Sequence, residues 1–316
     1  MSFASDLKKE IITNEYDDQA LKAELYAILK LKGELILSHN QLSLAIKTTS
    51  LNLTRRIVFI IKKIYKQTVE IVAKERSNLD FKKVYILTLS DDIRLILSDL
   101  DIIDKDYNFI EEISNNYNDN LEDVVRGMFL ASGSINDPES TRYHFEISCN
   151  EEKEAQYLFN NLYEQFAIEG KISQRRGKYI YYLKKGEQIG DILKLIGSTS
   201  LLFEFENIRI KKDLNNVVNR VINCEIANAT KMKASCDAQL EYIKIIQKYK
   251  GFDDLSVRLM EAITLRVKFP ESSLQELSDE SLNVIGRYIS KSGISHCMKD
   301  IEILAKSLMN ENLKKK

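Results

Sequence analysis

Two short stretches of this chain hold side chains able to grip an anion or to read a hydrogen-bonding surface. In "SKSGISHCMKD", residues 290 to 300, Ser292, Ser295, His296 and Lys299 recur at i, i+3, i+4 and i+7, so a helix shows them on one face near its start. Lys291 stands beside them, where a helix N-terminus favours phosphate. In "GKISQRRGKYIYYLKKG", residues 170 to 186, six basic residues occur with no acid, and Arg175, Arg176 and Lys178 lie beside tyrosines. That composition suits a phosphate-lined groove. It equally suits a solvated hairpin whose cations protect an edge strand. A third stretch, "NRVINCEIANATK", crowds together Asn219, Arg220, Asn223, Glu225, Asn228 and Lys231. Asparagine is a weak helix former that competes locally for backbone hydrogen bonds. So many polar groups predict either a hydrogen-bonded junction or a secondary surface for DNA or a partner, and periodicity does not choose between them.

Metal and redox chemistry find less support. Cys149, Cys224, Cys236 and Cys297 are scattered, with no CxxC spacing and no Cys/His cluster, so no metal site is expected. The 316 residues, 44% apolar and 29% charged, have room for two or three domains. A net charge of −1 leaves the distribution of charge, not its sum, to decide on nucleic acid. The first fifteen residues carry acids and lack the apolar run of a secretory signal. No stretch reaches the apolar length of a membrane helix. The expectation is a cytoplasmic protein with no membrane partner.

The elements that must position these residues repeat. "ALKAELYAILKLKGEL" is helical, with Leu21, Leu25, Ile28 and Leu29 on one face and Gly33 as its stop. "ELILSH" and "LSLAIKT" alternate like strands. A helix follows with Ile57, Ile60, Ile61 and Ile64 on one face, then the strands "TVEIVAKE" and "VYILTLS" and a closing helix. The order is α-β-β-α-β-β-α. "LEDVVRGMFLASG" opens a second copy, stopped by Gly133. A strand pair follows, then a helix with Ala155, Leu158, Phe159, Leu162 and Phe166 on one face, a hairpin around Arg176-Gly177 and a last helix. Ala27, Gly33, Gly127, Ala131 and Gly133 are small enough to let the two glycine-ended helices approach at a pseudo-twofold axis. Between the copies, Asp99 to Asp123 holds nine acids and one lysine and reads as a solvated linker, able by charge to fold over the basic hairpin. After residue 200 the strand signals stop. A long helix is expected with Cys236, Leu240, Ile243 and Ile246 along one side. A helix with Leu255, Leu259, Ile263 and Val267 inward follows, ended by Pro270. Ser273 and Glu276 then form a capping box. The last helix buries Ile294, Met298, Ile301, Ala305 and Leu308. A capped short helix, a turn and a longer helix with polar, basic first turns meet the needs of a helix-turn-helix. A plain three-helix bundle with a basic tail meets the same pattern.

The repeated order and the "RGMFLASGSI" helix end resemble the LAGLIDADG homing endonucleases. The resemblance implies two helices side by side above a sheet saddle, and a metal-binding carboxylate just before each terminal glycine. Here those positions are Lys32 and Ser132. A protonated lysine repels a cation, and a serine is a poor ligand for a hard metal. Glu34 and Asp137 lie nearby and read as surface residues. Nuclease chemistry needs those carboxylates, so no catalytic residue and no enzymatic activity are expected.

"NRVINCEIANATK", "AITLRVKFPESSLQEL" and "SKSGISHCMKDIEILA", in that order behind a LAGLIDADG-like frame, resemble the WhiA family of bacterial regulators, and the match covers nearly the whole chain. The resemblance implies an α+β protein: a tandem pseudo-twofold α-β-β-α-β-β-α LAGLIDADG-like domain followed by an all-α helix-turn-helix domain. The boundaries it suggests are residues 1–98 and 119–205 for the two repeats, 99–118 for the acidic linker, 206–250 for a connecting helical segment and 251–312 for the helix-turn-helix. It implies a transcriptional regulator that binds double-stranded DNA through Lys291, Ser292, Ser295, His296 and Lys299, with no cofactor, in the cytoplasm on the nucleoid. It links that regulator to sporulation, or to cell division and chromosome segregation, with transcription or division proteins as further partners. The family pattern at the last helix has Asn, Arg and Lys where this chain has Ser295, Cys297 and Asp300. Arginine is the common bidentate reader of guanine, and Asp300 repels phosphate if it faces DNA. The departures leave open an interaction protein of cell division whose DNA-binding helix has weakened.

Overall fold

A computed structural model describes residues 2–38, 41–75, 83–90, 93–104, 110 and 113–313. The chain divides into two compact units, Met1–Asp213 and Leu214–Lys316.

The first unit holds the repeat. After α1 (Phe3–Thr13), the leading copy runs α2 (Asp18–Lys32), β1 (Gly33–Ser38), β2 (Gln41–Thr48), α3 (Leu51–Tyr65), β3 (Glu70–Glu75), β4 (Lys83–Leu89) and α4 (Ile93–Asp99). The second runs α5 (Leu121–Ser132), β5 (Gly133–Ile135), β6 (Phe145–Cys149), α6 (Glu152–Phe166), β7 (Lys171–Arg175), β8 (Lys178–Leu183) and α7 (Gly186–Leu195). Both sheets are four-stranded and antiparallel, in the orders β1-β2-β4-β3 and β5-β6-β8-β7. The same strand order in both copies is the α-β-β-α-β-β-α repeat that the sequence predicts.

Side-chain caps start the helices. Asp17 accepts from the Ala20 N–H at 2.8 Å and Ser50 from the Leu53 N–H at 3.2 Å. Gly33 and Gly133 end α2 and α5 in extended conformation, φ −74° and −73°, so each helix runs straight into its first strand without a left-handed cap.

The two glycine-ended helices pack against each other through Gly127. A Cβ there would lie 2.4 Å from the Glu24 carbonyl oxygen and 2.8 Å from the Ala27 Cβ. Four buried charges gather beside this contact, and the Glu24–Arg126 pair crosses it. The Glu24 carboxylate, wholly buried, accepts from Arg56 at 2.7 and 3.0 Å and from Arg126 Nε at 2.9 Å. Arg126 Nη2 lies 2.6 Å from Asp123, an ion pair whose angle leaves the N–H without a directed hydrogen bond. Burial alone would lower the Arg126 pKa, but Glu24 and Asp123 outweigh it and hold the guanidinium charged.

Three expectations need correction. The acid-rich span is not a purely solvated linker: Leu100, Ile102, Ile103 and Tyr117 are buried, and Tyr117 stacks on Tyr26 at 4.4 Å. Several of its acids are engaged locally, Asp123 with Arg126 at 2.6 Å among them. Asp99 pairs with Lys22 at 2.8 Å, and Asp101 accepts from Ser114 and Asn116. On α6, Phe159 and Phe166 are exposed, and Ala155, Leu158 and Leu162 carry the buried face. An element unforeseen in the sequence, α1, buries Phe3, Leu7 and Ile11.

A single helix, α8 (Ser200–Tyr249), begins in the first unit and continues into the second, so no break falls at residues 205–206. Its start is capped from a distance. Glu10 of α1 accepts from the N–H groups of Thr199, Ser200 and Leu201 at 2.6–3.1 Å and from the Ser198 hydroxyl at 2.8 Å. The second unit adds α9 (Val257–Lys268), α10 (Leu274–Ile285) and α11 (Lys291–Leu313). Its core joins Ile243 and Ile246 of α8 to Ile263, Leu277, Ile294 and Ile301. On α9 the inward positions are Ala262, Ile263, Leu265 and Arg266, while Val267 is exposed.

Candidate nucleic-acid interface

The second unit builds one exposed polar helix face on a fixed turn. Ser273 caps α10 with Glu276: the Glu276 N–H reaches Ser273 Oγ at 3.2 Å, and the Ser273 N–H reaches the Glu276 carboxylate at 2.6 Å. Gly286 ends α10 in the left-handed region, φ 82°. Two wholly buried serines then hold the turn. Ser278 Oγ donates to the Ile289 carbonyl at 2.7 Å, and Ser281 Oγ accepts from the Ile289 N–H at 2.9 Å while donating to the Ser278 carbonyl. Ser290 opens α11, its Oγ accepting from the Gly293 N–H at 3.2 Å. Neither buried serine was legible as a site residue, because a serine on a helix reads as surface until its partner is known.

Arg266 fixes α9 from within. It is 1% exposed, and its guanidinium donates to Gln239 of α8 at 2.9 Å and to the Phe269 and Ser272 carbonyls at 3.2 and 2.5 Å. Burial lowers its pKa.

On this frame α11 turns Ile294, Cys297, Met298, Ile301 and Ala305 inward. Lys291, Ser292, His296 and Lys299 are exposed and Ser295 half-buried, so the five sequence-predicted residues share the outward side. Ser292 Oγ lies 3.1 Å from Ser290 Oγ. Lys291, His296 and Lys299 have no acidic partner among the described residues. Two neighbouring charges are engaged: Arg258 of α9 pairs with Asp300 at 2.6 Å, and Arg287 pairs with Glu261. The structure therefore recasts two of the three departures from the family pattern, leaving Ser295 on the outward side. Cys297, 1% exposed, belongs to the core and not to the outward face, and Asp300 is spent on Arg258.

The other candidate residues lie elsewhere. Arg175, Arg176 and Lys178 are exposed at the tip of the β7–β8 hairpin, where Arg176 and Gly177 both take positive φ, 52° and 75°. Tyr181 is buried and packs against Gly170, so it does not serve that surface. Asn219, Arg220, Asn223, Glu225, Asn228 and Lys231 are all exposed along α8. Among the described residues they form no hydrogen-bonded junction; Asn228 Nδ2 donates to the neighbouring Cys224 Sγ at 3.7 Å.

At the ends of α2 and α5, Lys32 is half-buried and Ser132 Oγ donates back to the Met128 carbonyl at 3.3 Å. Cations gather there. Lys8 donates to the Leu130 carbonyl at 3.3 Å, and burial together with Lys32 lowers its pKa to about 8. Burial and then Lys178 lower the Lys32 pKa. Lys178 donates to Asn150, whose amide donates to the Leu31 carbonyl. Glu34 is bound to Lys47 at 2.6 Å. Among the described residues no three His, Cys, Asp or Glu side chains come together to hold a metal.

Comparison with known proteins agrees with this architecture. Three family models match in order: the WhiA N-terminal LAGLIDADG-like domain over residues 18–103, the WhiA LAGLIDADG-like domain over 121–215 and the WhiA C-terminal HTH domain over 218–305. The "probable cell division protein WhiA" of Bacillus cereus is 39% identical over 320 residues, covering 100% of both chains. That of Oceanobacillus iheyensis is 36% identical over 311 residues, covering 98% of both. The full-length DUF199/WhiA structure from Thermotoga maritima superposes with a TM-score of 0.59 at 23% identity, over 97% of this chain and 99% of that one. With family models matched from residue 18 to 305 and relatives aligned end to end, the chain belongs to the WhiA family.

Proposed function

We propose that this protein is a sequence-dependent DNA-binding regulator whose reader is the outward face of α11. The observation that carries it is the set Lys291, Ser292, Ser295, His296 and Lys299: exposed or half-exposed, unpaired with acid, and held on a helix whose preceding turn is locked by Ser278 and Ser281. A helix so presented lies in the major groove with its first turns at base edges, and Lys291 at its N-terminus meets phosphate. Relatives named as probable cell division proteins support a link to cell division; the proposed activity is transcriptional regulation tied to cell division, chromosome segregation or sporulation, in the cytoplasm on the nucleoid. The LAGLIDADG-like domain serves as scaffold. Where metal-dependent phosphodiester cleavage needs carboxylates, Lys32, Lys8 and Ser132 stand, and added positive charge opposes a divalent cation. The exposed Arg175, Arg176 and Lys178 offer a secondary surface for DNA or a partner protein.

The test is DNA binding by the full chain across salt, with Lys299→Ala and His296→Ala alongside. Binding that weakens in both variants supports the reading. A chain that binds no DNA at physiological salt would make it an interaction protein of cell division.

A further inference from the structure

The middle of α8 stands apart from both cores. Every residue from Leu214 to Lys231 is exposed. Its apolar residues are nonetheless ordered. Leu214, Val217, Val221 and Cys224 recur at alternating steps of three and four, the a and d positions of a heptad. Leu214 is 62% exposed, Val217 55% and Val221 53%. Val218 takes the e position beside the seam and is equally bare. A helix facing only water carries polar residues at such positions.

The polar residues on this face are placed as a two-stranded coiled coil places them. Asn228 takes the next a position, and its contact with Cys224 Sγ puts both on one side of the helix. An asparagine at one a position fixes register and strand number at some cost in stability. Arg220 and Glu225 take a g position and the e position of the following heptad. Neither has an ion-pair partner among the described residues. In parallel helices the g side chain of one faces the following e side chain of the other, so Arg220 of each copy meets Glu225 of its mate. The pairing occurs twice by symmetry, as a twofold interface requires.

We propose that α8 between Leu214 and Lys231 is the docking surface for a second copy of this chain, as a parallel two-stranded coiled coil with Arg220 and Glu225 paired across it. Ile222 and Ile226 fall outside the seam, and the coiled coil gives no account of their exposure. The inference does not depend on DNA binding.

The full chain supplies its own probe. Cys224 is exposed, whereas Cys149, Cys236 and Cys297 are buried. In parallel, in-register helices the two Cys224 side chains face each other at a d position, within disulfide reach. Mild oxidation with diamide at micromolar protein is expected to give one covalent dimer band on a non-reducing gel, lost in Cys224→Ser. On the Cys224→Ser background, Asn228→Cys restores the band, and Asn223→Cys, on the opposite face, does not. By sedimentation equilibrium the Cys224→Ser chain is a dimer and its Val221→Glu derivative a monomer. Arg220→Glu weakens association by about tenfold, and adding Glu225→Arg recovers it. Circular dichroism confirms that the variants fold, which the exposure of these sites favours. A Cys224→Ser chain that sediments as a monomer overturns the proposal. So does Asn223→Cys cross-linking as well as Asn228→Cys, which would put the contact on another face.

Discussion

At the scale of single residues, the proposed reading of α11 separates side chains that would touch DNA from side chains that would aim them. Lys299 and His296 belong to the proposed first group. Lys299→Ala, if the lysine meets a base edge, costs about 1–3 kcal/mol of discrimination at one base pair. If it meets phosphate, binding weakens on every sequence and the salt slope falls by about one. Competition titrations on specific and scrambled duplexes tell the two apart, and an unchanged affinity on both removes Lys299 from the interface. Ser278 belongs to the second group. Ser278→Ala deletes the bond to the Ile289 carbonyl and leaves that carbonyl without its donor. The expected loss of stability is about 1–2 kcal/mol in urea unfolding, with weaker DNA binding although the residue, being buried, touches no DNA. Much of this face was legible in the sequence. Ile294, Met298 and Ile301 repeat at helical spacing, and a buried stripe dictates which residues face out. Cys297 was not legible, because a cysteine reads equally well as core or as surface. Nor was the neutralisation of Asp300, whose partner Arg258 lies 42 residues away.

At the scale of elements, the repeat was legible because two independent copies carry the same alternation of three-to-four and two-residue periods, and each strand pair found its expected neighbour. The long-range caps were not. Glu10 lies 190 residues from Ser200, and nothing in the first fifteen residues, which carry acids and lack the apolar run of a secretory signal, points to the helix it caps. The close approach of α2 and α5 predicts that Gly127→Ala is costly. Its Cβ would sit 2.4 Å from a backbone carbonyl that cannot rotate away. Overpacking of this kind costs about 1–3 kcal/mol, to be read as a lowered urea midpoint, and an unchanged midpoint would show that the helices are free to part. The Glu10 cap predicts a pH dependence. Burial alone would raise the Glu10 pKa, but its bonds to Ser200, Thr199, Ser198 and Leu201 bring it below the ordinary carboxylate value. A depressed folded pKa contributes stability above the unfolded value of about 4.3. That stability is lost as pH falls through the folded value. Glu10→Gln should therefore be less stable than the parent at pH 7, and the gap should close in acid. A gap of constant size from pH 7 down to acid would show that the carboxylate charge is not what caps α8.

At the scale of the whole molecule, the chain carries 46 basic and 47 acidic side chains, so no global field draws it to DNA. Attraction must come from local cations that acids leave free, and the structure sorts them. Arg258 and Arg287 are held by Asp300 and Glu261, and Lys306 by Glu302 at 2.6 Å. Among the described residues Lys291 and Lys299 have no acidic partner on α11 or beside it. With few cations free on the reading helix, counterion release is modest, because the slope of log affinity against log salt is about −0.9 per neutralised phosphate. The expected slope for α11 acting alone is thus about −2, counting Lys291 and Lys299. A measured slope of about −5 would mean that a second basic surface joins in, and the β7–β8 hairpin supplies the candidates Arg175, Arg176 and Lys178. The hairpin variant Arg175→Ala/Arg176→Ala/Lys178→Ala then decides. Each lost phosphate contact should take about 0.9 from the slope, so the triple variant brings a steep slope back to the α11 value. If instead it leaves the slope unchanged, those cations only protect the edge of β7, and the LAGLIDADG-like frame meets DNA nowhere along that hairpin.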